Sequence, residues 1–116
     1  MFRKRLKSFG YAFKGLRTLI TTQPNLAVQL FAAFIAISAG FYFNLGAGEW
    51  LAVILAIALV IITEAVNTAI EFLTDLVSPD YHPLAGKVKD VAAAAVLIAA
   101  IFALIVGIIV FGPRLI

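Results

Sequence analysis

An all-α membrane protein is the fold class that this sequence predicts. Three observations point there: an excess of apolar residues, three long apolar runs, and a basic, aromatic stretch ahead of the first run. Hydrophobic residues fill 64% of the 116 positions and charged residues 13%, far from the balance of a soluble domain. The runs at 26–43, 50–72 and 91–111 each approach or exceed the roughly 20 residues with which a helix crosses a bilayer. So short a chain leaves no room for a separate soluble domain, and residues 1–116 are expected to form a single integral-membrane unit.

The first element is expected over residues 2–22. Phe2, Leu6, Phe9, Phe13, Leu16 and Ile20 recur at alternating four- and three-residue steps, the spacing of one stripe on a helix. Most of the basic residues fall outside that stripe. An amphipathic helix in the membrane interface fits the pattern, its charges toward anionic headgroups and its Phe and Leu stripe in the acyl boundary. A removable signal peptide is not expected, because no compact apolar core and small-residue cleavage site stand here. Pro24, in "TTQPN", ends the helix: it holds Gln23 out of helical backbone and lacks a donor of its own.

Lys and Arg set the orientation of the spans. Arg3, Lys4, Arg5, Lys7, Lys14 and Arg17 precede the first span, Lys87 and Lys89 lie between the second and third, and "NLGAGE" between the first and second carries neither. The positive-inside bias then places the N-terminus and the 75–90 loop in the cytoplasm, in a multi-pass protein of the inner (plasma) membrane. Only Arg114 falls on the far side, where Tyr42, Phe43 and Trp50 read as an aromatic belt. The chain has no cysteine, which excludes disulfides and thiolate chemistry.

Within the second span, "ITEAVNTAIEFLTDL" breaks the apolar pattern. Steps of three, four and four residues carry Glu64, Asn67, Glu71 and Asp75, which keeps the four within about 80° of one helix face. Glu64 stands roughly 10 Å along the axis from Glu71, deeper in the membrane. A charge at bilayer depth costs at least about 2.5 kcal/mol on insertion scales. Several on one face therefore indicate a protein-lined or wet site open to the cytoplasmic side.

Such a strip can divide labour. One carboxylate accepts a proton, while another and the amide hold a hard divalent cation through oxygen. At the mouth of the third span, "AGKVKD" adds Lys87, Lys89 and Asp90, a lysine to neutralise nucleotide phosphate and an aspartate to help with metal. These pieces fit phosphoryl transfer to a lipid. Gly10 and Gly15 in "GYAFKGLR" do not form a phosphate loop, since Leu16 and Arg17 replace the required Lys and Ser/Thr and no strand precedes them. His82, the single histidine, has no metal-ligand partner pattern and reads as loop structure.

The stretch "EAVNTAIEFLTDLVSPDYHPLAGKVKDVAAAAVLIA", Glu64 to Ala99, resembles the signature region of the prokaryotic diacylglycerol kinase family, which includes undecaprenol kinases, and "GYAFKGLR" resembles its N-terminal helix. The resemblance implies a homotrimer of three-span protomers with active sites shared between neighbours. It further implies ATP as phosphoryl donor, Mg²⁺ as cofactor and a membrane lipid as substrate, with no nucleic-acid partner. Glu64 then resembles the general base, Asn67 and Lys89 further catalytic residues, and Glu71 the metal ligand. Lys4, Tyr11, Gln23, Glu71, Asp80, Lys89 and Asp90 resemble the nucleotide-binding set, and Arg17 joins Glu64 on the lipid side. The substrate so implied is diacylglycerol, converted to phosphatidic acid, with undecaprenol close behind.

This chain departs from the family pattern in places. Gln23 stands where the family usually has a glutamate as second metal ligand; its common Arg and His a few residues later correspond to Ala27 and Gln29. A neutral amide can coordinate through oxygen but removes a formal charge from the site. A function of another class also fits a carboxylate ladder: a small proton-coupled transporter or ion pathway with Glu64 as proton carrier. Lys89, Asp90 and the surface helix argue against it.

Overall fold

In the computed structural model, which describes residues 1–116, four helices follow one another: α1 (Phe2–Thr22), α2 (Pro24–Tyr42), α3 (Ala47–Val77) and α4 (Pro83–Leu115). The protein is all-α, and α2, α3 and α4 are each long and apolar enough to cross a membrane. α3 and α4 form the main hairpin, packed along much of their length, while α2 lies more lightly on α3. α1 leaves the bundle, which gives the molecule a flat outline of 51 × 42 × 22 Å.

Each boundary has a local cause. Gln23 is extended (φ −113°, ψ 100°), as a residue before proline must be, and its N–H still donates to Leu19 O at 3.0 Å. Pro24 then opens α2 at the first helical position, where a missing donor costs nothing. Along α1 the Phe2, Leu6, Phe9, Phe13, Leu16 and Ile20 stripe stays exposed, free to meet lipid or another chain. Leu19, on another side, is buried where α1 meets the rest of the chain.

The segment between the second and third spans differs from expectation. Residues 75–90 are read above as a loop, but α3 runs on to Val77 and α4 already begins at Pro83, leaving only residues 78–82 outside a helix. His82 caps α4, its Nδ1 accepting from the Leu84 N–H at 3.0 Å, and Pro83 takes the first helical position. This is the structural use of the single histidine. Lys87, Lys89 and Asp90 consequently ride on the first turns of α4. Hydropathy marks where a helix leaves the bilayer, not where it ends. With 31 and 33 residues, α3 and α4 reach about 46 and 50 Å, well past the ~30 Å hydrocarbon layer.

At the opposite end the chain turns through Asn44 (φ 53°), a residue type that tolerates left-handed backbone. Leu45, Val53 and Val110 form a small core there, with Trp50 and Phe111 packed against it. Gly40 is required at this end: a Cβ would fall 2.5 Å from the Trp50 indole. Arg114 closes the hairpin, its Nη1 and Nη2 donating to Glu49 Oε2 and Oε1 at 2.7 and 2.8 Å. That fork, together with the Gly46 N–H, holds the Glu49 carboxyl below its ordinary range.

Candidate active site

The strip on α3 is real in three dimensions, and it grades from buried to open. Glu64 (3% exposed) and Asn67 (8%) are buried, Glu71 is half-buried and Asp75 is exposed. Glu64 is the only buried carboxylate in the chain. It lies ~21 Å along the helix from Trp50 and ~10 Å short of Glu71, so the ladder climbs from the buried middle of α3 to its exposed end.

Each acid has a specific partner. Gln29 Nε2, on α2, donates to Glu64 Oε2 at 3.2 Å. Asn67 Nδ2 donates to Glu71 Oε1 at 3.0 Å, an i to i+4 bond along α3. Lys89 Nζ, on α4, donates to Asp75 Oδ1 at 2.6 Å. That hydrogen bond raises the proton affinity of the Lys89 ammonium above its ordinary value, burial opposes it, and the charges of Asp75 and Glu71 add to it. Lys89 therefore stands charged within the field of Glu71.

The structure thus brings Glu64, Asn67, Glu71 and Lys89 to one face of the α3–α4 hairpin. No hydrogen bond or ion pair ties the others to it. Lys4, Tyr11 and Arg17 are exposed on α1, where the Lys14 ammonium lies 5.7 Å from the Tyr11 ring. Gln23 donates through Nε2 to Thr22 Oγ1 at 3.4 Å, which leaves its carboxamide oxygen free. Asp80 contributes its carbonyl to Ser78 Oγ in the 78–82 turn, and Asp90 is exposed. Two partners escaped sequence reasoning: Gln29, whose signal is a carboxamide in an apolar run, and Asp75 in its pairing with Lys89.

Nowhere do three His, Cys, Asp or Glu side chains gather as a metal cage. The donors that are present still suit Mg²⁺, which is commonly held by one or two carboxylates plus substrate phosphates. Glu71 supplies a carboxylate, and beside it Asn67 Oδ1 is buried without any partner, so the donor set is all oxygen.

Fold and strip together define an integral-membrane protein with a graded acidic site and a lysine at its aqueous end. Residues 10–111 match the family described as prokaryotic diacylglycerol kinase. The undecaprenol kinase of Bacillus subtilis (strain 168) is 37% identical over 109 residues, covering 94% of this chain and 89% of that one. The diacylglycerol kinase of Escherichia coli (strain K12) is 35% identical over 104 residues, 90% of this chain and 85% of that one. The diacylglycerol kinase of Synechocystis sp. is 43% identical over 103 residues, 88% of this chain and 59% of that longer one. The chain belongs to the prokaryotic diacylglycerol kinase family and is a lipid kinase.

Proposed function

We propose that the chain transfers the γ-phosphoryl group of ATP to the primary hydroxyl of a membrane lipid at the cytoplasmic face of the inner membrane. Diacylglycerol is the favoured acceptor and undecaprenol the second, in line with the names of the relatives. The observation that carries this reading is the single buried carboxylate, Glu64, set in a helix long and apolar enough to cross a membrane and on the same helix face as Glu71. A lipid hydroxyl held at the interface needs its base at that depth, whereas ATP needs none of its contacts there.

Glu64 takes the hydroxyl proton while the lipid oxygen attacks the γ-phosphorus. The bond to the β-phosphate oxygen breaks, and ADP leaves with the electron pair. Lys89 offsets charge on the transferring group, and Asn67 fixes the Glu71 carboxylate through its amide. Mg²⁺, when bound, would neutralise phosphate charge; Glu71 and the free carboxamide oxygen of Gln23 are the residues to hold it. On α1, Lys4 and Tyr11 meet the nucleotide and Arg17 the lipid headgroup, with Asp80 and Asp90 completing the nucleotide side. No hydrogen bond or ion pair joins Lys4, Tyr11 or Arg17 of α1 to the strip of their own chain, which supports a homotrimer in which one protomer's α1 serves a neighbour's α3.

Incubating the purified protein with γ-labelled ATP and each lipid in mixed micelles tests the reading. Label in phosphatidic acid or undecaprenyl phosphate is the expected result. Proton or cation flux in vesicles, with no labelled lipid, would instead establish the transport function.

A further inference from the structure

The whole chain holds two buried polar side-chain atoms without a hydrogen-bond partner, Gln29 Oε1 and Asn67 Oδ1. Both are carboxamide oxygens, and each belongs to the amide whose N–H group already serves a carboxylate of the strip, Glu64 or Glu71. An unpaired buried acceptor costs about as much as a lost hydrogen bond. A leucine at position 29 would avoid that cost in an otherwise apolar helix, so the idle oxygen calls for another state in which it is used.

The surroundings of Gln29 narrow that use to Glu64. Gln29 lines a cavity of about 350 Å³ between α2, α3 and α4, and it is the only polar side chain there, beside Ala32, Ala36, Ala56, Val60 and Gly107. No other titratable group competes for Glu64. α2 carries none before Tyr42, and α4 carries none between Val91 and Phe111. On α3 the nearest is Glu71, two turns away, and α1 shares an apolar pocket with α3 through Ala12, Gly15 and Leu19 while its Lys14 and Arg17 stay exposed.

We propose that Gln29 is a positioning residue that serves both protonation states of Glu64. In the structure Gln29 Nε2 donates to Glu64 Oε2, the contact that serves an ionised carboxylate. Once Glu64 carries a proton, a half-turn of the carboxamide presents Oε1, which accepts from the new O–H. The exchange forms and breaks hydrogen bonds only. A carboxamide holds donor and acceptor on one planar group and can make this exchange, which neither an acid fixed in its charged form nor a cation can. Under the proposed kinase reaction, on which the catalytic part of this inference rests, the proton is the one taken from the lipid hydroxyl.

Gln29→Met keeps length and apolar packing but removes both functions, and Gln29→His restores a donor and an acceptor on one ring. Infrared difference spectra between acid and neutral pH, in nanodiscs, give a readout that needs no turnover. The acid carbonyl band that Glu64→Gln abolishes identifies Glu64, and in Gln29→Met it should move to the higher frequency of an acid without a hydrogen-bond acceptor, with Gln29→His moving it back. In lipid phosphorylation, Gln29→Met should lower kcat about 10–100-fold, the span of a hydrogen bond to a charged group, with KM for MgATP unchanged. An unmoved band overturns the proposal whatever the activity. So does lowered thermal stability with unchanged kcat and band, which would mean that Oε1 pairs with a neighbouring copy. A moved band in a protein that phosphorylates no lipid leaves the hydrogen-bond exchange standing and removes the kinase reading.

Discussion

Lys89 on α4 donates to Asp75 on α3 at 2.6 Å, one helical turn beyond Glu71. The bond joins the two helices just before their 78–82 connection and holds the ammonium within the field of Glu71, at the exposed end of the strip. Both side chains keep solvent access, 42% for Lys89 and 63% for Asp75, so the pair orients the lysine more than it stabilises the fold. Lys89→Gln should lower lipid phosphorylation about 10²–10³-fold, the usual cost of one transition-state charge partner. Asp75→Asn leaves the ammonium but frees it, and about a tenfold loss of kcat is expected. Initial rates at saturating MgATP for the three proteins check both. Because the Lys89 proton affinity is raised in the folded protein, the charged pair is present throughout neutral pH and is lost only as pH rises past the ordinary lysine value of 10.5.

The base assignment gives a second expectation. Glu64→Gln keeps shape and hydrogen-bonding reach but cannot accept a proton, so turnover should fall about 10²–10⁴-fold with ATP binding and assembly nearly unchanged. Turnover and nucleotide binding measured on one preparation decide it, and near-normal turnover would reject Glu64 as the base.

Gln23 carries the third. Its carboxamide oxygen is free in the structure, at the junction of α1 and α2. Divalent affinity rises with ligand charge, so Gln23→Glu should lower the magnesium concentration for half-maximal activity and Gln23→Ala should raise it, with smaller effects at saturation. Identical midpoints in a magnesium titration would take Gln23 out of the site.

A fourth follows from the proposed homotrimer with shared sites. Assemblies mixed from Glu64→Gln chains and chains carrying Lys4→Ala with Tyr11→Ala should then recover part of the activity that each parent lacks. Inactive mixed assemblies would assign each site to a single chain.

How much of this was legible in the sequence depends on the range of the interaction. The α1 stripe, the break at Pro24 and the common face of Glu64, Asn67 and Glu71 are local periodicities, and the structure reproduces them. Residues 78–82 were harder to delimit, because the helical part of 75–90 is polar and hydropathy registers only the bilayer. The pairing of Gln29 with Glu64 spans 35 positions and that of Glu49 with Arg114 spans 65. No spacing rule reaches so far. Gln29 was visible as a departure from the family pattern, and its partner emerged only once α2 lay on α3.

The Glu49–Arg114 fork supports a fifth expectation, at the end away from the site. Arg114→Met should lower the melting temperature and leave kcat unchanged. The folded-state value of the Glu49 carboxyl lies below the ordinary 4.5, so the fork stabilises above that pH and its contribution fades as pH falls through the depressed value. Melting curves of wild type and Arg114→Met should therefore converge on acidification, and a gap that persists at the lowest pH would assign the effect to packing.

Packed along much of their length and with one charged pair at each end, α3 and α4 behave like the rails of a ladder in fixed register. Sliding one rail past the other must break Glu49–Arg114 and Asp75–Lys89 together, so the depth of Glu64 relative to Lys89 is set by the hairpin alone. The Gln23–Pro24 corner has no such lock. Any hinge between α1 and the α3–α4 pair therefore falls at that corner rather than between the rails, and the exposed aromatic stripe of α1 is what another surface can hold. With α1 in the membrane interface, as its apolar stripe predicts, bilayer composition would act on the proposed site through how deeply that one arm sits.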